Sequence, residues 1–238
     1  LQIVQGNSAT AAGLKLIPFM IGIVTMSIIS GKQITVTGKY KRFPIVGLIL
    51  MAIGIGLMST LGVHTPYWKL AIYACLIGMG LGLSMQTIVI ALQNAVEFKD
   101  MGVSTSANTF FRSVGGTIGV AIFGTIYANK LAAELPKAIA HVATTDPASM
   151  VGATPEKFAQ LRNNTSVLKS FAPHLQESIM GAFVKSFHSV FISALPVVLL
   201  GLVFALLLRE TPLKTGADHA AARDEAAGEF SNILSNQL

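Results

Sequence analysis

The chain has 238 residues, of which 52% are hydrophobic and only 12% are charged, and its formal net charge is +6. Soluble domains carry roughly 25% charged residues, so this composition, with a mean hydropathy of +0.63, excludes an ordinary soluble domain. The positive charge does not indicate nucleic-acid binding, because in a membrane protein the placement of Lys and Arg matters more than their sum.

The apolar residues form long unbroken runs of about 20 residues, the length that a helix needs to cross a hydrocarbon core. We therefore predict an all-α integral membrane protein with five transmembrane helices. The predicted spans are 11–30, 44–62, 68–93, 104–129 and 183–208. Pro18 lies inside the first span and is expected to kink it, whereas Ser104 is a plausible N-cap of the fourth.

The spans divide the chain into five parts. Residues 1–10 are expected to be the end of a preceding element, since no initiator Met or basic leader region is present, which suggests a fragment. The other parts are a four-helix portion of a bundle at 11–130, an external loop or hairpin at 131–182, the last transmembrane helix at 183–208 and a cytoplasmic tail at 209–238.

The connection between the first two spans, "GKQITVTGKYKR", has four basic residues and no acid, whereas the next connection, "GVHTPYW", is uncharged. The positive-inside rule therefore predicts that the first connection is cytoplasmic, the N-terminus external and the C-terminus cytoplasmic. On composition alone a plain positive-inside loop is favoured. The alternative is a loop that changes conformation, with these candidate residues: Gly31, Gly38, Lys39, Lys41 and Arg42.

Groups for catalysis or metal binding are missing from the predicted spans. All eleven acidic residues lie outside them, and the single cysteine is Cys75. His188, near the outer end of the last span, is the one candidate proton carrier at depth. We predict no enzyme activity, no metal site and no cofactor, and we expect any proton-coupling acid to lie elsewhere.

The third span contains "GMGLGLSMQ", in which Gly78 and Gly82 form a G-x-x-x-G pair. Small residues at this spacing let helix backbones approach closely in a membrane, so we predict close packing here. Gln86 extends the same face by one turn and is not expected to face lipid. It either contacts a substrate or donates a hydrogen bond to another helix.

The fourth span carries a stripe of polar and small residues at helical spacing. Its members are Ser104, Asn108, Arg112, Gly115, Gly116 and Gly119. Arg112 lies about 12 Å into the helix at 1.5 Å per residue, so its side chain could reach back to the cytoplasmic interface. The small residues favour a different reading, in which this face packs on protein and Arg112 has a partner or faces a cavity.

The segment "ALQNAVEFKDMGVSTSANTFFRSVGGTIGVAIFGTIYANKL" resembles the late spans of major facilitator superfamily multidrug exporters of the fourteen-span drug/proton antiporter branch. The matching residues are Gln93, Asn94, Gly102, Thr105, Ser106, Asn108, Arg112, Gly115, Gly116 and Gly119. The start, "LQIVQGNSATAAGLKLIP", and "LRETPL" after the last span are also similar. The first connection resembles the second-half copy of the superfamily's G-x-x-x-D-x-x-G-[RK]-x-[RK] motif, with Thr35 at the acidic position.

The resemblance implies that the five spans are the last five of the C-terminal bundle, with the third lining the central cavity. It implies the C-terminal fragment of a proton-coupled multidrug efflux transporter that works by alternating access in a bacterial cytoplasmic membrane. Its partners would be amphipathic small molecules, protons, the lipid bilayer and the missing N-terminal half, and not nucleic acid. The alternative is a stand-alone five-span membrane scaffold or accessory subunit without transport activity.

Overall fold

The computed structural model describes residues 9–150, 153–154, 157–158 and 165–208, and within these residues it is helical, without a strand. The α-helices are α1 (Ala9–Leu14), α2 (Ile17–Thr37), α3 (Arg42–Met58), α4 (Tyr67–Ala95), α5 (Met101–Thr145) and α6 (Pro173–Leu207). Short 3₁₀ turns occupy Phe98–Asp100, Pro147–Met150 and Thr165–Ser170. The predicted preceding element at 1–10 and the tail at 209–238 lie almost entirely outside the described residues.

Within the described residues, four helical segments are long and apolar enough to cross a membrane: Thr10–Thr37, which takes α1 and α2 together, Tyr67–Ala95, Met101–Thr145 and Pro173–Leu207. Helix α3 is also apolar but has only 17 residues, about 25 Å at 1.5 Å per residue. The prediction of an all-α membrane architecture is confirmed, whereas the count of five spans stays a prediction.

The helices pack in the neighbour order α2, α4, α3, α6, α5. Helix α4 lies between α2 and α3 and packs along both, and α3 also packs on α6. Helices α4 and α5 follow each other in the chain but touch at few positions, whereas α5 packs mainly on α6. The first half of α5 is therefore left without neighbours on most of its surface.

The first predicted span is interrupted rather than merely kinked. Helix α1 ends at Leu14, and α2 begins at Ile17 with Pro18 in its first turn. Proline lacks the amide hydrogen and disfavours helical geometry at the preceding residue, so a helix start is the place that tolerates it. The Tyr67 hydroxyl of α4 donates a hydrogen bond to the Lys15 carbonyl at the break, at 3.1 Å.

The helices that flank 131–182 extend beyond the predicted spans into this segment, whose place outside the membrane stays a prediction. Helix α5 does not end at 129 but continues to Thr145, and α6 begins at Pro173 rather than at 183. The two extensions pack on each other because apolar side chains recur there at helical spacing. Their buried cluster consists of Val142, Leu168, Phe171, Leu175, Ile179 and Phe183. The segment "APHLQESIMGAFVK", most of which lies within the predicted loop or hairpin, thus forms the beginning of α6.

The start of α5 also differs from the prediction. The helix begins at Met101 with Asp100 in the N-cap position, so Ser104 lies one turn inside and is not the cap. The cause is the 3₁₀ turn at Phe98–Asp100, which leads into the helix without a break. Ser104 is thereby placed on the side of α5 that faces the end of α4.

Candidate functional site

Helices α2 and α4 meet along a seam of glycines. A Cβ atom added at Gly22 of α2 would lie 2.6 Å from the Cys75 carbonyl oxygen of α4, and one added at Gly82 would lie 3.1 Å from the Ile23 Cα. Gly78 faces the Phe19 backbone in the same way. The Ser27 hydroxyl donates to the Gly82 carbonyl at 3.2 Å, so the seam also includes a polar contact. Within this chain, Gly78 and Gly82 therefore lie where two backbones come close.

Helices α3 and α4 meet along a second glycine seam that the sequence pattern did not lead us to expect. A Cβ at Gly47 of α3 would lie 2.6 Å from the Gly80 carbonyl oxygen of α4, and one at Gly54 would lie 2.6 Å from Cγ1 of Ile77. The available signal was the seven-residue spacing of Gly47 and Gly54 in an otherwise large apolar helix. Helix α4 thus has glycines on two faces and holds α2 and α3 on opposite sides.

Gln86 does not face either seam. Its residue is exposed, whereas the neighbouring Thr87 is fully buried and donates its hydroxyl hydrogen to the Leu83 carbonyl at 2.7 Å. Among the described residues, Gln86 makes no hydrogen bond to another helix, so that alternative finds no support. Its role in a substrate cavity stays a prediction.

A cleft of about 470 Å³ separates the end of α4 from the start of α5. Ile88 and Leu92 line it from α4, and Ser104, Asn108 and Phe111 line it from α5. Within the described chain, the Ser104 hydroxyl is buried but has no hydrogen-bond partner. Buried polar atoms in folded proteins are nearly always paired, so this side of α5 has unused hydrogen-bonding capacity.

Arg112 lies one turn beyond Asn108 and is exposed. No carboxylate among the described residues lies within ion-pair distance of its guanidinium. The glycines that follow, Gly115 and Gly116, have nothing within 4 Å of an added Cβ, and Gly119 meets only the ring of Phe123. The polar and small stripe of α5 is therefore open in this chain, and close packing on it stays a prediction.

The basic connection is shorter than the sequence suggests. Helix α2 continues through Gly31 to Thr37 and α3 begins at Arg42, so the turn is confined to residues 38–41 and does not begin at the first of the two glycines. Gly38 adopts a left-handed conformation with φ of 70° and donates its N–H to the Ile34 carbonyl at 2.9 Å. This is a typical helix end, which glycine adopts without steric cost. Thr35, at the position of the family's acid, donates to the Lys32 carbonyl at 2.8 Å.

The charged residues of this connection differ in exposure. Lys39 and Arg42 are exposed, Lys41 is half-buried, and Tyr40 between them is only 2% exposed. Tyr40 therefore anchors the connection while the cations remain accessible. Their role in conformational change stays a prediction.

The chain is similar to several membrane transporters. It is 39% identical over 217 residues to an uncharacterized MFS-type transporter of Mycobacterium tuberculosis, a match that covers 91% of this chain and 30% of that relative. It is 31% identical over 248 residues to the tetracycline resistance determinant of Streptomyces rimosus, with 98% of this chain and 72% of that relative covered. The chain belongs to the major facilitator superfamily.

The multidrug transporter protein MdtP of Bacillus subtilis is 29% identical over 239 residues, which cover 94% of this chain and 44% of that protein. The chain thus spans less than half the length of two of these three relatives, and about 30% of the mycobacterial one. No family model and no solved structure matches the chain. The mycobacterial relative and MdtP are named as transporters and not as enzymes, and together with the apolar helices they indicate a multi-pass membrane protein.

Proposed function

We propose that this chain is the C-terminal part of a proton-coupled multidrug exporter of the fourteen-span branch, and that it works by alternating access. Helices α1–α2, α3, α4, α5 and α6 would form five spans in a bacterial cytoplasmic membrane, with the connection at Gly38 on the cytoplasmic side. The names of the relatives, which include drug and tetracycline resistance proteins, support the substrate class of amphipathic small molecules.

The observation that carries the proposal is the open surface of α5 beside the α4–α5 cleft. Arg112, the buried Ser104 hydroxyl and a row of glycines lie there without a partner in the described chain, within a helix that is predicted to span the membrane. Polar groups at membrane depth normally face a protein interior or a water-filled cavity. This surface is therefore suited to form one wall of a cavity whose other wall is another part of the transporter.

Within this proposal, the glycine seams have a mechanical role. Helix α4 holds α2 and α3 by backbone-to-backbone packing, which makes these three helices a unit that moves as one body. Transporters with internal repeats alternate access by rocking one such bundle against the other around a midplane site. Arg112 and Asn108 would contribute a polar contact at the moving interface, with an acid outside the described residues as the expected partner.

To test this proposal, the complete gene is expressed in a drug-sensitive bacterial host. The accumulation of a fluorescent cationic drug in the cells is then measured with and without a protonophore. The proposal predicts low accumulation that rises when the proton gradient is removed. Arg112→Ala is expected to reduce efflux at unchanged membrane abundance, and Arg112→Lys, which keeps the charge, is the matched control. Accumulation equal to that of the empty host would favour the scaffold or accessory subunit. Full efflux by Arg112→Ala would exclude the polar contact.

A further inference from the structure

A cluster of lysines lies between α5 and α6, away from the α4–α5 cleft. The Nζ atoms of Lys130, Lys137 and Lys185 lie 3.8, 3.3 and 3.8 Å from the carboxylate of Glu134. The Glu134 side chain is only 14% exposed, whereas the three lysines are 45%, 71% and 72% exposed. Three ammonium groups thus surround one carboxylate, and the cluster has two positive charges in excess.

Two of the three lysines border a cleft of about 340 Å³, which is lined by Lys130, Glu134, Val184, Lys185, His188 and Ser189. The position of this cleft along the helices is specific. Lys130 follows directly on the apolar run predicted for 104–129, and Lys185 lies at the beginning of the apolar run at 183–208. Since α5 and α6 pack on each other, with Tyr127 of α5 against Phe187 of α6, both lysines lie at the same end of the two predicted apolar runs, where the predicted spans meet water.

A second pocket adjoins this cleft on its apolar side and shares Val184 and His188 with it. It has a volume of about 250 Å³, and its lining includes Leu61, Leu70 and Phe191. The Nδ1–H of His188 donates to the Ser59 carbonyl, so the ring is held in the wall between the two pockets. A cationic cleft and an apolar pocket therefore meet at one histidine.

We propose that the two pockets together form a binding site for an anionic phospholipid. The phosphate of the headgroup lies between Lys130 and Lys185, and an acyl chain enters the pocket beside Phe191. Ammonium groups bind phosphate as point charges, and the excess of positive charge provides the attraction that Glu134 alone does not satisfy. Ser189 offers a hydroxyl donor to the same phosphate.

The adjoining apolar pocket distinguishes a lipid from a soluble anion and from a drug. Free phosphate would gain nothing from the apolar lining. Pockets for whole drug-sized molecules measure about 300–1,000 Å³, so a space of 250 Å³ fits part of a ligand, such as a segment of acyl chain. The site does not depend on the transport mechanism or on which membrane face it occupies, so its failure would leave the proposed function untouched.

The test uses the protein produced from its complete gene, purified in a neutral detergent and delipidated. Native mass spectrometry measures the apparent affinity for dioleoyl phosphatidylglycerol and for dioleoyl phosphatidylcholine. The site predicts preference for phosphatidylglycerol and a loss of about 25-fold in the Lys130→Gln/Lys185→Gln variant, at roughly fivefold per lysine. The Lys130 and Lys185 side chains are 45% and 72% exposed, and Glu134 keeps Lys137 at 3.3 Å, so the double variant is expected to fold.

The matched control is Lys69→Gln, because Lys69 lies in the first turn of α4, stacks over Trp68 at 5.6 Å and is outside the cluster. Its affinity for phosphatidylglycerol should remain that of the unaltered protein. The proposal would be overturned if the two lipids bound equally well or if the double variant kept its affinity for phosphatidylglycerol. It would also be overturned if Lys69→Gln lost as much affinity as the double variant. Displacement of the lipid by millimolar inorganic phosphate alone would overturn the part assigned to the acyl chain.

Discussion

Replacing Gly22 by alanine is expected to disturb the seam between α2 and α4. The new Cβ would lie 2.6 Å from the Cys75 carbonyl oxygen and 2.9 Å from the Met79 amide nitrogen, whereas ordinary contact begins near 3.4 Å. Both obstacles are backbone atoms, so no side chain can rotate away. The helices must separate by about 0.8 Å, the difference between 3.4 and 2.6 Å.

A gap of this size costs a quarter to a half of the dispersion energy of each contact along the seam. Overpacking of this kind destabilises proteins by about 1–3 kcal/mol, against which alanine regains about 1 kcal/mol of helix propensity. The net loss is therefore about 0–2 kcal/mol relative to the unaltered protein, a fall in Tm of up to about 8 °C, and about 1–3 kcal/mol relative to an alanine introduced where the added Cβ meets nothing.

The assay is thermal unfolding of the complete protein in detergent, followed by loss of the monodisperse peak in size-exclusion chromatography. Gly56→Ala is the control, because a Cβ at Gly56 of α3 would have nothing within 4 Å. It should leave Tm unchanged or raise it through helix propensity alone. If Gly22→Ala were as stable as Gly56→Ala, the close approach of α2 and α4 would be refuted.

Three further predictions each rest on a single residue. Gly38→Ala should lower the unfolding free energy by about 1–2 kcal/mol, because φ is 70° at this residue. The control Gly31→Ala, inside α2, should not lower it, and equal effects of the two substitutions would contradict the left-handed helix end. Gly116→Leu should reduce efflux by the complete protein at unchanged abundance in an accumulation assay, since the open stripe is proposed to meet another helix; full efflux would contradict this. His64→Gln removes a 2.6 Å contact with Glu177, and the two side chains are 80% and 54% exposed. Calorimetry should therefore show a loss of unfolding free energy below about 1 kcal/mol, and a larger loss would contradict the view that an exposed ion pair contributes little.

The periodic and compositional features of the chain were predictable from the sequence. The third predicted span, 68–93, agrees with α4 to within two residues at each end, because a long apolar run has no competing interpretation. The G-x-x-x-G pair at Gly78 and Gly82 also indicated a close approach of two helices, and both glycines lie against the backbone of α2. In contrast, the sequence placed Gln86 on that same face, and the structure leaves it exposed.

The ends of α5 and α6 could not be predicted from span length. The thickness of a membrane sets the length of the apolar run, but it does not determine where the helix ends. Both helices continue beyond the run for as long as their apolar side chains have another surface to pack on. That partner is the other extension, which buries Val142, Leu175 and Ile179 completely. Contact between residues this far apart in the chain is decided by tertiary packing, and local helix propensity does not predict it.

The sequence by itself determined the class of the protein, an all-helical membrane chain of the major facilitator superfamily, because apolar run length and short motifs are local properties. It also showed that intramembrane acids are absent from the predicted spans. Only the tertiary structure decided which surfaces are covered. It placed α4 between α2 and α3, left the Arg112 stripe open, and brought Lys130 and Lys185 around Glu134. The physical reason is that helix neighbours are selected by the fit of whole faces, here glycine against backbone, and not by the order of helices along the chain.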